Sequence, residues 1–315
     1  MRKSAVISAA FAVALLVAGA GIWAAVGPSN PRPAMESAPT PSLTTVLPLP
    51  PVEVANEQEI LNHQASTLTV FRFAPNPAIL VLDFPDLAQQ ARMLNRVAAL
   101  IEKKGLPRDH VLDDAALARV VRDGGGSADT FYFGHDYSAQ ELARFFALAD
   151  RDRIVLTPDE ALLRRLLDRE GFPRPGSMGA LLSVPRVGSA PSLDLAARAT
   201  ILHHELSHGE YFSNPAYAAF ARAFFYGVMN DQDRAAMIRF LVAAGYDSGQ
   251  DDLMINESQA YLVHTPESGF FDQSSLGLPA PELTRLRVAF LMGMPPGWPR
   301  DDSGARSSDG VGRGP

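Results

Sequence analysis

The stretch Ile201-Leu202-His203-His204-Glu205-Leu206-Ser207-His208-Gly209-Glu210 decides how the rest of this 315-residue chain is read. Within it, His204-Glu205-x-x-His208 sets two histidines four residues apart, with a glutamate beside the first. Leu195, Ala199, Leu202 and Leu206 recur at helical spacing, which predicts a helix over residues 195–211 with that apolar stripe turned to the core. Positions i and i+4 of a helix stand about one turn apart on one face, so the two imidazoles can converge on one tetrahedral zinc ion. Glu205, on the same helix, is placed to hold a water in the metal's open position and to take its proton as general base. Two imidazoles and a carboxylate beside an apolar stripe are costly to bury without a partner, which favours a metal site over an ordinary polar helix.

A catalytic zinc takes a third protein ligand. Downstream, Ile255-Asn256-Glu257-Ser258-Gln259-Ala260-Tyr261 lies in a segment whose apolar members are Leu253, Met254, Tyr261 and Leu262, predicting a second helix over 251–263. Glu257 sits there, 49 residues beyond His208. With these motifs the chain resembles the gluzincins, zinc metallopeptidases whose third ligand is a glutamate on a later helix. The resemblance covers residues 195–261. It implies His204, His208 and Glu257 as metal ligands and Glu205 as base, with Ala260 matching the family's Glu-x-x-Ala pattern. Many gluzincins have Asp next, where this chain has Tyr261, so support for the histidine helix must come from elsewhere, with Asp247, Asp251 and Asp252 as candidates. A metzincin arrangement fails because position 214 is Asn214 rather than histidine. Glu210 lies too close on its own helix to wrap back to the metal, and Glu267 sits in a Pro/Ser/Gly loop.

Other polar residues near these motifs read more plainly. His203 is expected to pack on the helix face, since a fourth protein ligand would close the position catalysis uses. Tyr261 and His264 are expected as a core tyrosine and a loop histidine, the alternative being polarisation of a substrate carbonyl. His135-Asp136-Tyr137 precedes a helix cap and reads as turn chemistry. Phe212, Tyr217, Phe220, Phe224, Phe225 and Tyr226 follow helical spacing and read as core.

Away from the motifs, Arg2 and Lys3 precede an unbroken apolar run from Ala5 to Val26, so residues 1–27 are expected to be a signal sequence or transmembrane anchor that exports the remainder. Residues 28–52 form a Pro-rich linker and residues 300–315 a Gly/Ser/Asp-rich disordered tail. Between them, residues 53–190 are expected as an α+β part and residues 191–299 as a helical part that carries the zinc site. Residues 67–73 and 79–84 read as paired strands around Pro75-Asn76-Pro77, and 130–133 as one more. Helices are predicted over 85–104, 139–149 and 158–170, then over 215–228, 231–244 and 281–292. The expected fold class is therefore α+β, mostly helical, and the resemblance implies zincin-like catalytic helices.

Composition narrows the function classes. With 28 Lys+Arg against 35 Asp+Glu and a formal charge of −7, the chain lacks the basic stripe of a phosphate-backbone binder, which argues against a nucleic-acid partner. The absence of cysteine excludes disulfides, thiol nucleophiles and Cys-ligated zinc, leaving His and carboxylates for any metal. The expected function is a zinc-dependent metallopeptidase of the cell envelope, acting on a peptide or protein substrate and tied to the membrane through its N-terminus. The alternative is a non-catalytic, membrane-tethered envelope protein with a structural or degenerate zinc site.

Overall fold

A computed structural model describes residues 46–124, 127–130, 133–172, 178–265 and 270–301. The expected signal sequence or anchor (1–27), residues 28–45 of the expected linker, most of the expected tail, Glu267 and part of the strand expected over 130–133 lie outside these residues. In chain order the elements are β1 Val52–Ala55, α1 Glu57–Asn62, β2 Thr69–Phe73, β3 Ile79–Phe84, α2 Leu87–Ile101, α3 Asp114–Asp123, β4 His135–Ser138, α4 Ala139–Arg151, α5 Pro158–Glu170 and β5 Ala180–Pro185. Helices α6 Leu195–Ser213, α7 Pro215–Gly227, α8 Asp231–Ala243, α9 Asp251–His264, α10 Gln273–Leu276 and α11 Ala280–Gly293 follow. The molecule is α+β and mostly helical.

The strands form one mixed sheet in the order β1-β2-β3-β5-β4. β1 runs parallel to β2 and β3 parallel to β5, while β2–β3 and β4–β5 are antiparallel. β3 is central and covered on both faces, which explains its continuous apolar run. Leu80, Leu82 and Phe84 enter one core with α2, α4 and α5, whereas Ile79 and Val81 enter a second core with Ile201, Leu202 and Leu206 of α6. The expected pairing of the first two predicted strands is present, with Val70 opposite Leu82. β5 is buried on both faces in the same way, and its short run between Pro/Gly-rich segments hid it from periodicity.

Several expectations need correction. His135-Asp136-Tyr137 is not a turn but most of the edge strand β4, in register with β5 so that Asp136 stands opposite Leu182. Its alternation is polar on one side, and Ser138 ends it by capping α4, so the sequence shows a cap without the strand. Helix α2 stops at Ile101 rather than near Gly105, because the Lys103 backbone leaves the helix to bridge Tyr246. Leu195 is 52% exposed, so it does not belong to the buried stripe of α6, whose members in the core cluster are Ile201, Leu202 and Leu206. The remainder of α6 is buried nearly all round, since it lies between the sheet and helices α7 and α9. Gly209 permits the approach: a Cβ there would stand 2.8 Å from the Cδ1 of Ile79.

Candidate metal centre

Helix α6 carries the histidines, and its first two turns are anchored. Asp194 caps it by accepting from the Ala197 N–H. One turn on, the buried Arg198 reaches the sheet, donating to Asp83 of β3 from Nη1 at 3.0 Å and from Nη2 at 2.9 Å. The same guanidinium donates to the carbonyls of Pro185 and Ile60. A bidentate, fully satisfied pair of this kind fixes rotation and height of the helix on the sheet. His204, Glu205 and His208 follow within three turns.

The three predicted ligands meet. The Nε2 atoms of His204 and His208 lie 3.0 Å apart, and Glu257 from α9 brings Oε2 to 3.8 Å from the first and Oε1 to 3.7 Å from the second. One ligand atom from each of the three lies within 4.8 Å of the others, and all three residues are buried. The other side of the His204 ring settles its tautomer. Thr265 donates its hydroxyl hydrogen to the Ala260 carbonyl, so its oxygen accepts the Nδ1–H of His204 at 2.8 Å. Nε2 is thereby left with a free lone pair aimed at the cluster.

Electrostatics calls for a cation here. Burial, with His208 and His203 nearby, pushes His204 well below the usual imidazole range. Burial lowers His208 to about 4, against the opposing influence of Asn256. Both rings are therefore neutral, as ligands must be. The carboxyls of Glu205 and Glu257 are pushed well up, first by burial and then by neighbouring carboxylates, with Glu102 acting on both. Glu205 Oε2 and Glu257 Oε2 are buried and accept no hydrogen bond among the described residues. Two neutral imidazoles facing a buried carboxylate with an unmatched oxygen fit a divalent metal ion, and this group could bind one.

Glu205 stays beside this triad. Its carboxylate lies against the chain entering β4, so closely that a Cβ at Gly134 would fall 2.0 Å from Oε1. Asp136, two residues on, brings Oδ2 to 3.8 Å from His208 Nε2 and forms a second close group with Glu205 and His208. No spacing rule pointed to Asp136; a pairing of β4 with β5 was the signal needed.

The other residues weighed from sequence lie elsewhere. His203 turns away, 3.0 Å from Glu57 Oε1 through Nδ1 and 3.1 Å from His264 Nδ1 through Nε2. His264 in turn meets the Tyr217 hydroxyl, which donates to Gln259. Tyr261 is a core residue packed edge-on to His204 and Phe240. Asp251 and Asp252 pair with Arg222 and Asp247 with Arg108, so the support for His204 comes from Thr265 rather than from any of the three. Glu210 accepts from Asn76 and Asn214, away from the metal group. No protein-family model matches the chain, and no curated protein or solved structure matches it either.

Proposed function

We propose that this protein is a zinc-dependent metallopeptidase of the gluzincin type that hydrolyses peptide bonds in the cell envelope. The observation that carries the reading is the convergence of His204, His208 and Glu257 with Glu205 beside them and outside the triad. A zinc ion held there supplies Lewis acidity and eases the deprotonation of water. The chain's own residues do the remainder. Thr265 keeps His204 in the coordinating tautomer, and the α6 anchor at Asp83 holds both imidazoles in register. Glu205 takes a proton from the attacking water and returns it to the departing amide nitrogen, so that one group serves as base and then acid. Placement in the envelope rests on the apolar N-terminal run. Among the described residues no helix is long and apolar enough to cross a membrane.

The test pairs metal content with turnover. The full-length protein should hold one zinc, and His204→Ala or His208→Ala should release it, since each removes a primary bond. Glu205→Gln keeps shape but not basicity, so it should keep zinc and thermal stability while peptide cleavage falls by roughly two to four orders of magnitude. A zinc-loaded wild type that cleaves no peptide in a diverse library would leave the non-catalytic, tethered envelope protein as the reading.

A further inference from the structure

Carboxylates outnumber what one metal ion can balance at this centre. Glu257 belongs to the ligand triad, and Glu205 must stay available to water. Asp136 remains, a third carboxylate whose Oδ2 stands 3.8 Å from His208 Nε2 and shares a 4.8 Å cluster with that nitrogen and Glu205. Its side chain is 13% exposed, so it lies within the site yet keeps an accessible edge. Among the described residues Asp136 pairs with no Lys or Arg, and it stands against His208, whose Nε2 also faces Glu257. Glu205, whose carboxylate groups with Asp136 and His208, keeps Oε2 buried and without a hydrogen bond among the described residues.

Two partners besides protons can relieve such a charge, a second metal ion or a cation brought by the substrate. The first fails on donor count. Both close groups use His208, and an imidazole nitrogen that faces one metal has no lone pair left for another. Without that nitrogen the second group offers only Asp136 and Glu205, too few protein donors for a held ion.

We propose that Asp136 is the substrate-recognition carboxylate of this site, and that it takes an ammonium group carried next to the scissile bond. This rests on the metallopeptidase reading and names its substrate class: peptides with a free α-amine, or with a lysine side chain, at that position. The carboxylate reaches the site from the edge strand β4, whose register with β5 holds it on the Glu205 side of His208. A neutral residue in the same place of the substrate leaves Asp136 buried and unmatched, so discrimination comes largely from that penalty.

The experiment measures binding, so that it does not depend on turnover. Zinc-loaded full-length Glu205→Gln protein, with and without Asp136→Asn, is titrated calorimetrically with three peptide amides of one length. One has a free N-terminus and no lysine, the second is its N-acetylated form, and the third is N-acetylated with one lysine. The proposal expects at least one ammonium-bearing peptide to bind about tenfold or more tighter than the acetylated neutral peptide, and Asp136→Asn to abolish that difference while keeping one zinc. The first and third peptides separate α-amine from side-chain recognition. Asp136→Ser, with melting curves for both variants, guards against a substitution that only unfolds the protein. Equal affinity for all three peptides in the Asp136 protein would overturn the proposal, as would two bound zinc ions falling to one in Asp136→Asn. An ammonium preference in a protein whose Glu205 form cleaves nothing would keep the role of Asp136 and sink the hydrolase alone. Cleavage with no ammonium preference would do the reverse.

Discussion

His204 can offer Nε2 to a metal because Thr265 occupies Nδ1, and Thr265 is able to accept because its own hydrogen goes to Ala260. A valine at 265 keeps the volume but leaves Nδ1–H without an acceptor, so Thr265→Val should weaken zinc by about ten- to a hundredfold, read by competition with a chromogenic chelator. Unchanged affinity would show that the ring needs no such support. Glu257 and Glu210 form a matched comparison, both buried carboxylates on long helices. Glu257→Ala should release zinc, whereas Glu210→Ala, which loses only its contacts with Asn76 and Asn214, should retain it. Release by the Glu210 variant and retention by the Glu257 variant would move the third ligand. Of the three candidate ligands, His204 and His208 were legible from sequence because i,i+4 spacing is a local property of one helix, and Glu257 through the resemblance of its Glu-x-x-Ala segment to the gluzincin pattern. Thr265 and Asp136 were not, because neither is defined by spacing from the motif: one lies past the end of α9 and the other on a strand from the opposite half of the chain.

Elements differ in how plainly they announce themselves, and the difference follows from what each one touches. Capped helices were readable: Ser138 with Glu141 and Thr157 with Glu160 form reciprocal cap hydrogen bonds, and α4 and α5 start where those pairs predict. β4 and β5 were not readable, since β4 mixes buried His135 and Tyr137 with polar neighbours and β5 is apolar on both faces. Of these, β4 shapes the site, for its entry at Gly134 lies against Glu205. Gly134→Ala places a methyl where the Glu205 carboxylate now sits, and the side chain must swing away. The expected outcome is zinc content within error of wild type with peptide turnover reduced by about a hundredfold, because misplacing a reacting group by about 1 Å costs on that order. Full turnover in this variant would mean that Glu205 works from another rotamer.

At the scale of the whole molecule, three layers explain why so polar a centre can be buried. Helices α2, α4 and α5 cover one face of the sheet, α6 covers the other, and α7, α9 and α11 close over α6 with a core of their own. The polar centre is thus enclosed by two apolar cores, and its protonation is tied to folding. Folded and metal-free, the Asp136, Glu205 and Glu257 carboxyls lie well above 3.8, 4.5 and 4.5, chiefly through burial. From those values upward the unfolded chain binds fewer protons than the folded one, so the stability these groups contribute is full below about pH 4 and is lost as pH rises. His208 runs the other way. Its folded value of about 4 lies under the ordinary 6.5, so its contribution is full above pH 6.5 and is lost as pH falls toward 4. At 1.36 kcal/mol per unit that loss is on the order of 3 kcal/mol. A bound dication replaces the protons on the carboxylates and holds the imidazoles neutral, which removes the high-pH loss but leaves protons to compete for the ligands in acid. Melting curves with and without chelator should therefore diverge between pH 6 and 8, the chelated protein losing stability as pH rises while the zinc-loaded protein does not. Below pH 6 the two curves should converge as zinc leaves. A gap that stays flat or narrows from pH 6 to 8 would show that the buried carboxylates are balanced within the protein and have no need of the metal.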